Sequence, residues 1–409
     1  MKKRLFLFFI LLCLTLTMQA QTSWRDSLSA RLDTVLCDEL LERSQMGMMV
    51  WDLTDDMLLY QYQPRQLMRT ASTMKALTAV VALDVLGGNY DVKTRLYHTG
   101  TISNGVLNGN LVCVGGMDPL FDSTDMKAFA AAVKEKGITT IKGRIVIDCS
   151  LKDVEKWGEG WCWDDDNPTL SPLLINGKPS FTAQLVKELR NMKINVTTVS
   201  PLPGNLPKDA KLLCIRKHSI GQVLERMMKE SDNLFAESLY YQIAASSGKR
   251  PATAKEAIKI EMDFFKKIGL DGENYRLADG SGLSLYNYLT PECETMVMRY
   301  AWKNQNIYSH LLPSLPIAGV DGTLKKRMIG TYGQGNVRAK TGSVSAVSAL
   351  TGYLTAANGH MLCFAIMNQG VRRMAEGRQF QDRVCTVLCS PPDIELNLLW
   401  KQLDSLYHQ

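Results

Sequence analysis

Three short words stand in fixed order along this chain: Ser72-Thr73-Met74-Lys75, Ser231-Asp232-Asn233 and Lys340-Thr341-Gly342. They supply a serine hydroxyl, an amine placed to take its proton, and a second Ser, an Asn and a Lys to hold a substrate. Such a set carries out acyl transfer without histidine. It does so only in a fold that brings all three words to one place, although 159 residues separate Ser72 from Ser231.

Ser72 and Lys75 are three positions apart, so on a helix they share a face. Ser72 opens an apolar stretch, Met74–Leu86, that reads as a helix stopped by Gly87-Gly88. At a helix N-terminus, free N–H groups and the dipole favour a developing oxyanion. Lys75 can act as base only if desolvation or neighbouring cations lower its pKa. Ser246-Ser247-Gly248-Lys249 fits the same four-residue pattern. That copy follows the end of a helical stretch and runs into Arg250-Pro251, so it reads as a loop.

Ser231-Asp232-Asn233 lies between helical stretches at Ile220–Lys229 and Leu234–Ala245. Ser231 is expected to relay a proton toward a leaving amine, and Asn233 to hold Lys75 and a substrate amide. All three are also good caps for a helix beginning at Leu234, and both readings can hold together. Lys340-Thr341-Gly342-Ser343 falls at an expected sheet edge. There Lys340 and Thr341 would bind a terminal carboxylate, and Gly342 would permit close backbone approach. The Ser343 N–H would join that of Ser72 in an oxyanion hole. The alternative for this word is a polar hairpin turn.

At 409 residues, with 45% hydrophobic and 22% charged residues, the chain is globular and long enough for two domains. Lys2-Lys3-Arg4 followed by the apolar run Leu5–Met18 reads as a secretory signal ending at Ala20. The mature protein is then expected to be exported to the periplasm, with no stable membrane insertion; an uncleaved anchor is the alternative. Loss of residues 1–20 lowers the net charge from +6 to +3, too mild to argue for nucleic acid. Ten cysteines fall to nine without Cys13, so at least one stays unpaired. Cys113, Cys214 and Cys363 sit in apolar strand-like runs and read as small buried hydrophobes. The five histidines show no His-Glu-x-x-His spacing, which argues against a zinc site or a Ser-His-Asp triad. Asp164-Asp165-Asp166 reads as a solvated loop rather than a calcium site. No metal and no cofactor are called for.

The pattern predicts an α+β fold. Ser27–Arg43 reads as an amphipathic helix, and Gly47–Asp52 and Met57–Tyr62 as strands. Val337–Ser343, Ala346–Tyr353 and Met361–Asn368 read as antiparallel strands, the last two joined at Asn358-Gly359. A closing helix is expected over Ile394–Tyr407. Together these describe a helix-flanked antiparallel sheet formed by residues 21–90 and 217–409. Residues 91–216 show short strands, such as Gly109–Val114 and Gly143–Asp148, with one helical stretch at Ser180–Met192. They read as an inserted, smaller α+β subdomain.

With these words in hand, the chain resembles the D-alanyl-D-alanine carboxypeptidase/endopeptidases of the class C, low-molecular-mass penicillin-binding protein type (peptidase family S13). Ser-x-x-Lys, Ser-x-Asn and Lys-Thr-Gly together mark penicillin-binding proteins and class A β-lactamases. Four further words favour the S13 family: Gly115-Gly116-Met117-Asp118-Pro119, Trp161-Cys162-Trp163-Asp164-Asp165, the block Ala278–Ser284, and Gly319–Leu324. The resemblance implies a transpeptidase-like domain interrupted between the first two words, acting on peptidoglycan stem peptides through an acyl-enzyme on Ser72. It implies β-lactams as acylating inhibitors. It also implies that Asp165 reaches toward the substrate, and that a third subdomain carried by the largest members is missing. Leu285 stands where some members have an Arg that binds a side-chain carboxylate. A β-lactamase or esterase of the same fold, or a non-catalytic wall-binding protein, are the alternatives. No well-placed Glu for fast deacylation is evident in the sequence.

Overall fold

The computed structural model describes residues 23–397, 400, 401 and 403. Its centre is a five-stranded antiparallel sheet. We label its strands β1 (Gln45–Asp52), β2 (Met57–Tyr62), β3 (Arg338–Val344), β4 (Val347–Thr355) and β5 (Met361–Gln369). They lie in the order β3-β4-β5-β1-β2, so β3 is an edge strand. Gly359, at φ +87°, makes the turn between β4 and β5.

β4 and β5 are buried almost end to end, which means both faces of the sheet are covered. Side chains alternate between two cores, as a period of two requires. Leu350, Leu354, Leu362, Phe364 and Ile366 meet the helices α1 (Trp24–Val35) and α6 (Met374–Cys389), through Leu28, Leu32, Phe380, Val384 and Leu388. Tyr353 and Cys363 point the other way, into a larger helical core. That core includes α2 (Met74–Leu86), α3 (Ile220–Lys229), α4 (Asn233–Ser246) and α5 (Pro291–Lys303). Every residue of α2 from Met74 to Leu83 is buried, so it is a central helix rather than an amphipathic surface one.

Residues 91–219 build two further sheets. The larger has the order Leu202–Pro203, Ile145–Asp148, Leu111–Val114, Asp91–His98 and Lys211–Ser219. Their core is made with two helices, Ser123–Glu135 and Phe181–Asn191, around the clustered rings of Phe121, Phe129 and Phe181.

Several expectations needed correction. The first helix is shorter and earlier than Ser27–Arg43. Ser23 and Asp26 form a capping box that starts it, and a separate 3-10 turn at Glu39–Glu42, capped by Asp38, follows. The stretch 91–216 holds a second helix, Ser123–Glu135, set off by a capping box between Asp122 and Asp125. Strands begin at Leu111 and Ile145 rather than two residues earlier. Cys113 and Cys363 are buried, but Cys214 is only partly so. All nine described cysteines are free thiols. The segment 1–20 lies outside the described residues, as does much of the expected closing helix, which is helical at 396–397, 400–401 and 403.

Candidate active site

Ser72 sits in a 3-10 turn, Ala71–Thr73, that runs directly into α2. Ala71 is held at φ +46°, a left-handed conformation that costs a non-glycine residue about 1–2 kcal/mol. The surroundings fix it. A Cβ on Gly282 would lie 1.8 Å from the Ala71 carbonyl oxygen, so only glycine fits there. The Thr73 hydroxyl donates to Thr70 O at 2.7 Å and also bonds the buried carboxyl group of Glu294, which can supply the proton of that second bond. Burial pushes the Glu294 carboxyl up to about 8.

Lys75, one helical turn on, is fully buried. Its Nζ lies 2.9 Å from Ser72 Oγ, 2.7 Å from Asn233 Oδ1 and 2.7 Å from Ser281 O. Desolvation lowers its pKa from 10.5 to about 8, against the opposing pull of Asp279, Glu237 and Asp232. The geometry suits the neutral amine. Two carbonyl oxygens take its two N–H bonds, and its lone pair is left facing the Ser72 hydroxyl.

In the second word, the cap and the site coexist. Asp232 accepts the Leu234 N–H at 3.0 Å as the N-cap of α4 and also accepts from Arg226 Nε at 3.0 Å. That frees its two neighbours. Asn233 turns to Lys75, and Ser231, held at φ +60°, turns to Lys340. Lys340 Nζ donates to Ser231 Oγ at 2.9 Å and to Thr341 O at 2.7 Å. Burial and the nearby Lys75 charge hold the Lys340 ammonium well below its ordinary pKa.

β3 runs along the Ser72 turn. A Cβ on Gly342 would stand 2.6 Å from Thr70 O and 3.1 Å from Thr73 N, which is why this position takes glycine. Ser72, Ser231, Thr341 and Ser343 face one cleft of about 650 Å³. Lys75, Asn233 and Lys340 stand behind its wall, joined to it by the bonds above. Asp165 is not brought to this cleft. It lies on an exposed turn, where its carboxylate accepts the Cys162 N–H at 3.0 Å.

The sequence did not single out Glu237. This buried carboxyl accepts the N–H of Gly280 at 3.1 Å and of Ser281 at 2.9 Å, and so aims Ser281 O at Lys75. Burial, then the charge of Asp279, pushes its pKa up to about 8. The available signal was its position four residues after Asn233 on one helix, hence on the same face. Asp279 anchors the same loop by accepting from Gly282 N, Ser284 N, Asn287 Nδ2 and Trp161 Nε1, each at 2.7 Å. Among the described residues, one group has the spacing to hold a cation: Asp52, Asp55 and His360. The Arg25 guanidinium already bonds both carboxylates there.

Known proteins share this arrangement of sequence and fold. The chain is 28% identical over 416 residues to the D-alanyl-D-alanine carboxypeptidase DacB of Haemophilus influenzae, covering 80% of this chain and 86% of that protein. It is 26% identical over 435 residues to the D-alanyl-D-alanine carboxypeptidase of Actinomadura sp., covering 83% and 80%. The crystal structure of penicillin binding protein 4 from Haemophilus influenzae superposes with a TM-score of 0.77 at 24% identity, over 92% of this chain and 99% of that one. The same protein complexed with a β-lactam gives 0.73 at 26% identity, over 87% and 98%. The sequence model of the D-Ala-D-Ala carboxypeptidase 3 (S13) family matches residues 28–176 and 174–388. With most of its length matched, the chain belongs to the D-Ala-D-Ala carboxypeptidase 3 (S13) family.

Proposed function

We propose that the protein is a serine D-Ala-D-Ala carboxypeptidase of peptidoglycan stem peptides, with Ser72 as its nucleophile. The observation that carries this is the bond from Lys75 Nζ to Ser72 Oγ at 2.9 Å, with the amine buried and its other two bonds taken by carbonyl oxygens. Ser72 Oγ attacks the carbonyl carbon of the penultimate D-Ala as Lys75 Nζ accepts its proton. The N–H groups of Ser72 and Ser343 receive the developing oxyanion. The C–N bond then breaks. The proton taken by Lys75 passes to the departing amine of D-Ala through the Ser231 hydroxyl, which gives one proton and receives another. Water then attacks the acyl carbonyl as Lys75 takes its proton, the ester C–O bond breaks, and Lys75 returns that proton to Ser72 Oγ.

Thr341 binds the terminal carboxylate at the cleft surface, with Lys340 behind it bonded to Ser231 and to the Thr341 carbonyl. Asp165 is given no step, because it stands on an exposed turn outside the cleft lining. β-Lactams, by acylating Ser72, act as inhibitors; the H. influenzae relative crystallised with one supports this. Among the described residues no carboxylate lines the cleft to activate a deacylating water, which favours slow release over β-lactamase turnover.

We read residues 21–90 and 217–409 as one catalytic unit with 91–216 inserted. In support, each large sheet draws its strands from only one of these stretches, apart from the last residues of Lys211–Ser219. The two matched stretches meet at 174–176, where we place the missing third subdomain. The basic and apolar N-terminal run and the wall-acting relatives support a periplasmic location. The test is Ser72→Ala, assayed by labelling with a fluorescent penicillin and by D-Ala release from a pentapeptide. Both signals are expected to vanish. Equal labelling of variant and wild type would end the proposal.

A further inference from the structure

The cleft that holds Ser72 has an uneven charge. Lys325, Lys326, Arg327 and Arg378 all line it, and among the described residues no Asp or Glu does. Arg327 is buried and committed: its guanidinium bonds Asp382, Gln381 and the Arg378 carbonyl. Lys325, Lys326 and Arg378 are exposed. No hydrogen bond or ion pair within the described residues engages their charged groups. The neighbouring Asp321 does not offset them, because its carboxylate bonds Lys229 Nζ at 2.6 Å and the Ile317 N–H at 2.8 Å. Three cations without counter-charges at the mouth of a walled cleft focus a positive potential on whatever enters it.

Their place relative to the chemistry is set by one contact. Thr323, in the turn just before Lys325, bonds its hydroxyl to that of Thr341 at 2.8 Å. The cationic rim is thus tied to β3 at Thr341, the residue read above as holding the carboxylate of the departing residue. A single terminal carboxylate is met by Thr341 with Lys340 behind it. The rim offers additional positive charge with nothing yet assigned to it.

We infer that Lys325, Lys326 and Arg378 form a subsite for a second carboxylate on the leaving portion of the substrate. This rests on the peptidase reading above and names the substrate class of that same cleft. The favoured leaving group is an amine-linked residue or peptide carrying more negative charge than its one terminal carboxylate. Binding at the rim is the same in the bound substrate and in the acylation transition state, so the preference falls on KM more than on kcat.

The test uses the mature protein and three peptides with one acyl half, ending in D-Ala followed by D-Ala, D-Gln or D-Glu. Wild type is expected to favour D-Glu over D-Gln by about fivefold or more in kcat/KM, mostly through KM, and to lose that preference in high salt. In K325Q/K326Q/R378Q the ratio is expected to fall below about twofold. Lys326→Glu should instead favour a D-Lys leaving residue over D-Gln, a gain that misfolding cannot produce. Release of D-Ala with equal rates for D-Glu and D-Gln overturns the subsite and leaves the peptidase reading standing. A D-Glu preference that survives the triple variant also overturns it. Cleavage of none of the three peptides by wild type overturns both readings.

Discussion

If Lys75 is the base, the rate of Ser72 acylation reports its protonation. The base works only when neutral, so rate rises as pH rises through its pKa. With that pKa lowered to about 8 by burial, the neutral fraction is roughly 1% at pH 6, about 10% at pH 7 and about half at pH 8. An amine at the ordinary 10.5 would be only about 0.03% neutral at pH 7, so burial raises the amount of active base there roughly 300-fold, worth about 3 kcal/mol. The assay is the second-order rate of β-lactam acylation, by stopped-flow or intact mass, from pH 6 to 9. We expect about a tenfold rise per pH unit below 8 and a plateau above it. Lys75→Arg keeps a cation that cannot deprotonate and should slow acylation about 10²–10⁴-fold and remove the rise. A flat wild-type profile across this range, or normal acylation by Lys75→Arg, would refute the reasoning.

Glu237→Ala leaves the Gly280 and Ser281 N–H groups without their acceptor, at a cost of about 1–3 kcal/mol each, and frees Ser281 O from its aim at Lys75. It should lower both the thermal midpoint and the acylation rate. Glu237→Gln keeps an acceptor oxygen and behaves differently. In the native fold Glu237 holds its proton to about 8, so the folded state binds more protons than the unfolded one between the ordinary carboxylate range and pH 8. Wild-type stability therefore falls as pH rises through that window, and Gln avoids the loss. Its thermal midpoint should match wild type near pH 5 and exceed it above pH 8. Arg327→Met strips charge compensation from the fully buried Asp382 carboxylate. About 3–5 kcal/mol of stability should be lost, read as a lower urea midpoint.

Much of the site was legible because its chemistry comes in contiguous words. Ser72 and Lys75 share a helical face, and Asn233 had to sit beside a helix cap, so short-range geometry located them. Sheet strands were legible where both faces are buried, as in β4 and β5. What the sequence hid depends on long-range contacts. Glu237 looks like one charge on a helix until the loop at Gly280 and Ser281 closes over it. The helix at Ser123–Glu135 was missed because its cap, Asp122, follows a run of turn residues. Lys340 was expected to meet a carboxylate; its bond to Ser231 could not be read from the sequence, because it depends on β3 packing beside the second word. Asp165 was expected near substrate by resemblance alone; in the fold it is exposed and accepts the Cys162 N–H.

The register between Asp91–His98 and Lys211–Ser219 pairs Ser219 with Asp91, close to the two ends of the stretch we read as inserted. More than a hundred residues thus begin and end at one antiparallel pair, and they touch the rest of the chain again further out, as where Ser238 bonds Met117 O and Trp161 bonds Asp279. Because closure entropy grows slowly with loop length, the scaffold is nearly indifferent to how long that excursion is. The long interval between Ser72 and Ser231 therefore carries no geometric penalty. Material can be added to or removed from the outer parts of the excursion over evolutionary time while the nucleophile and its partners keep their places.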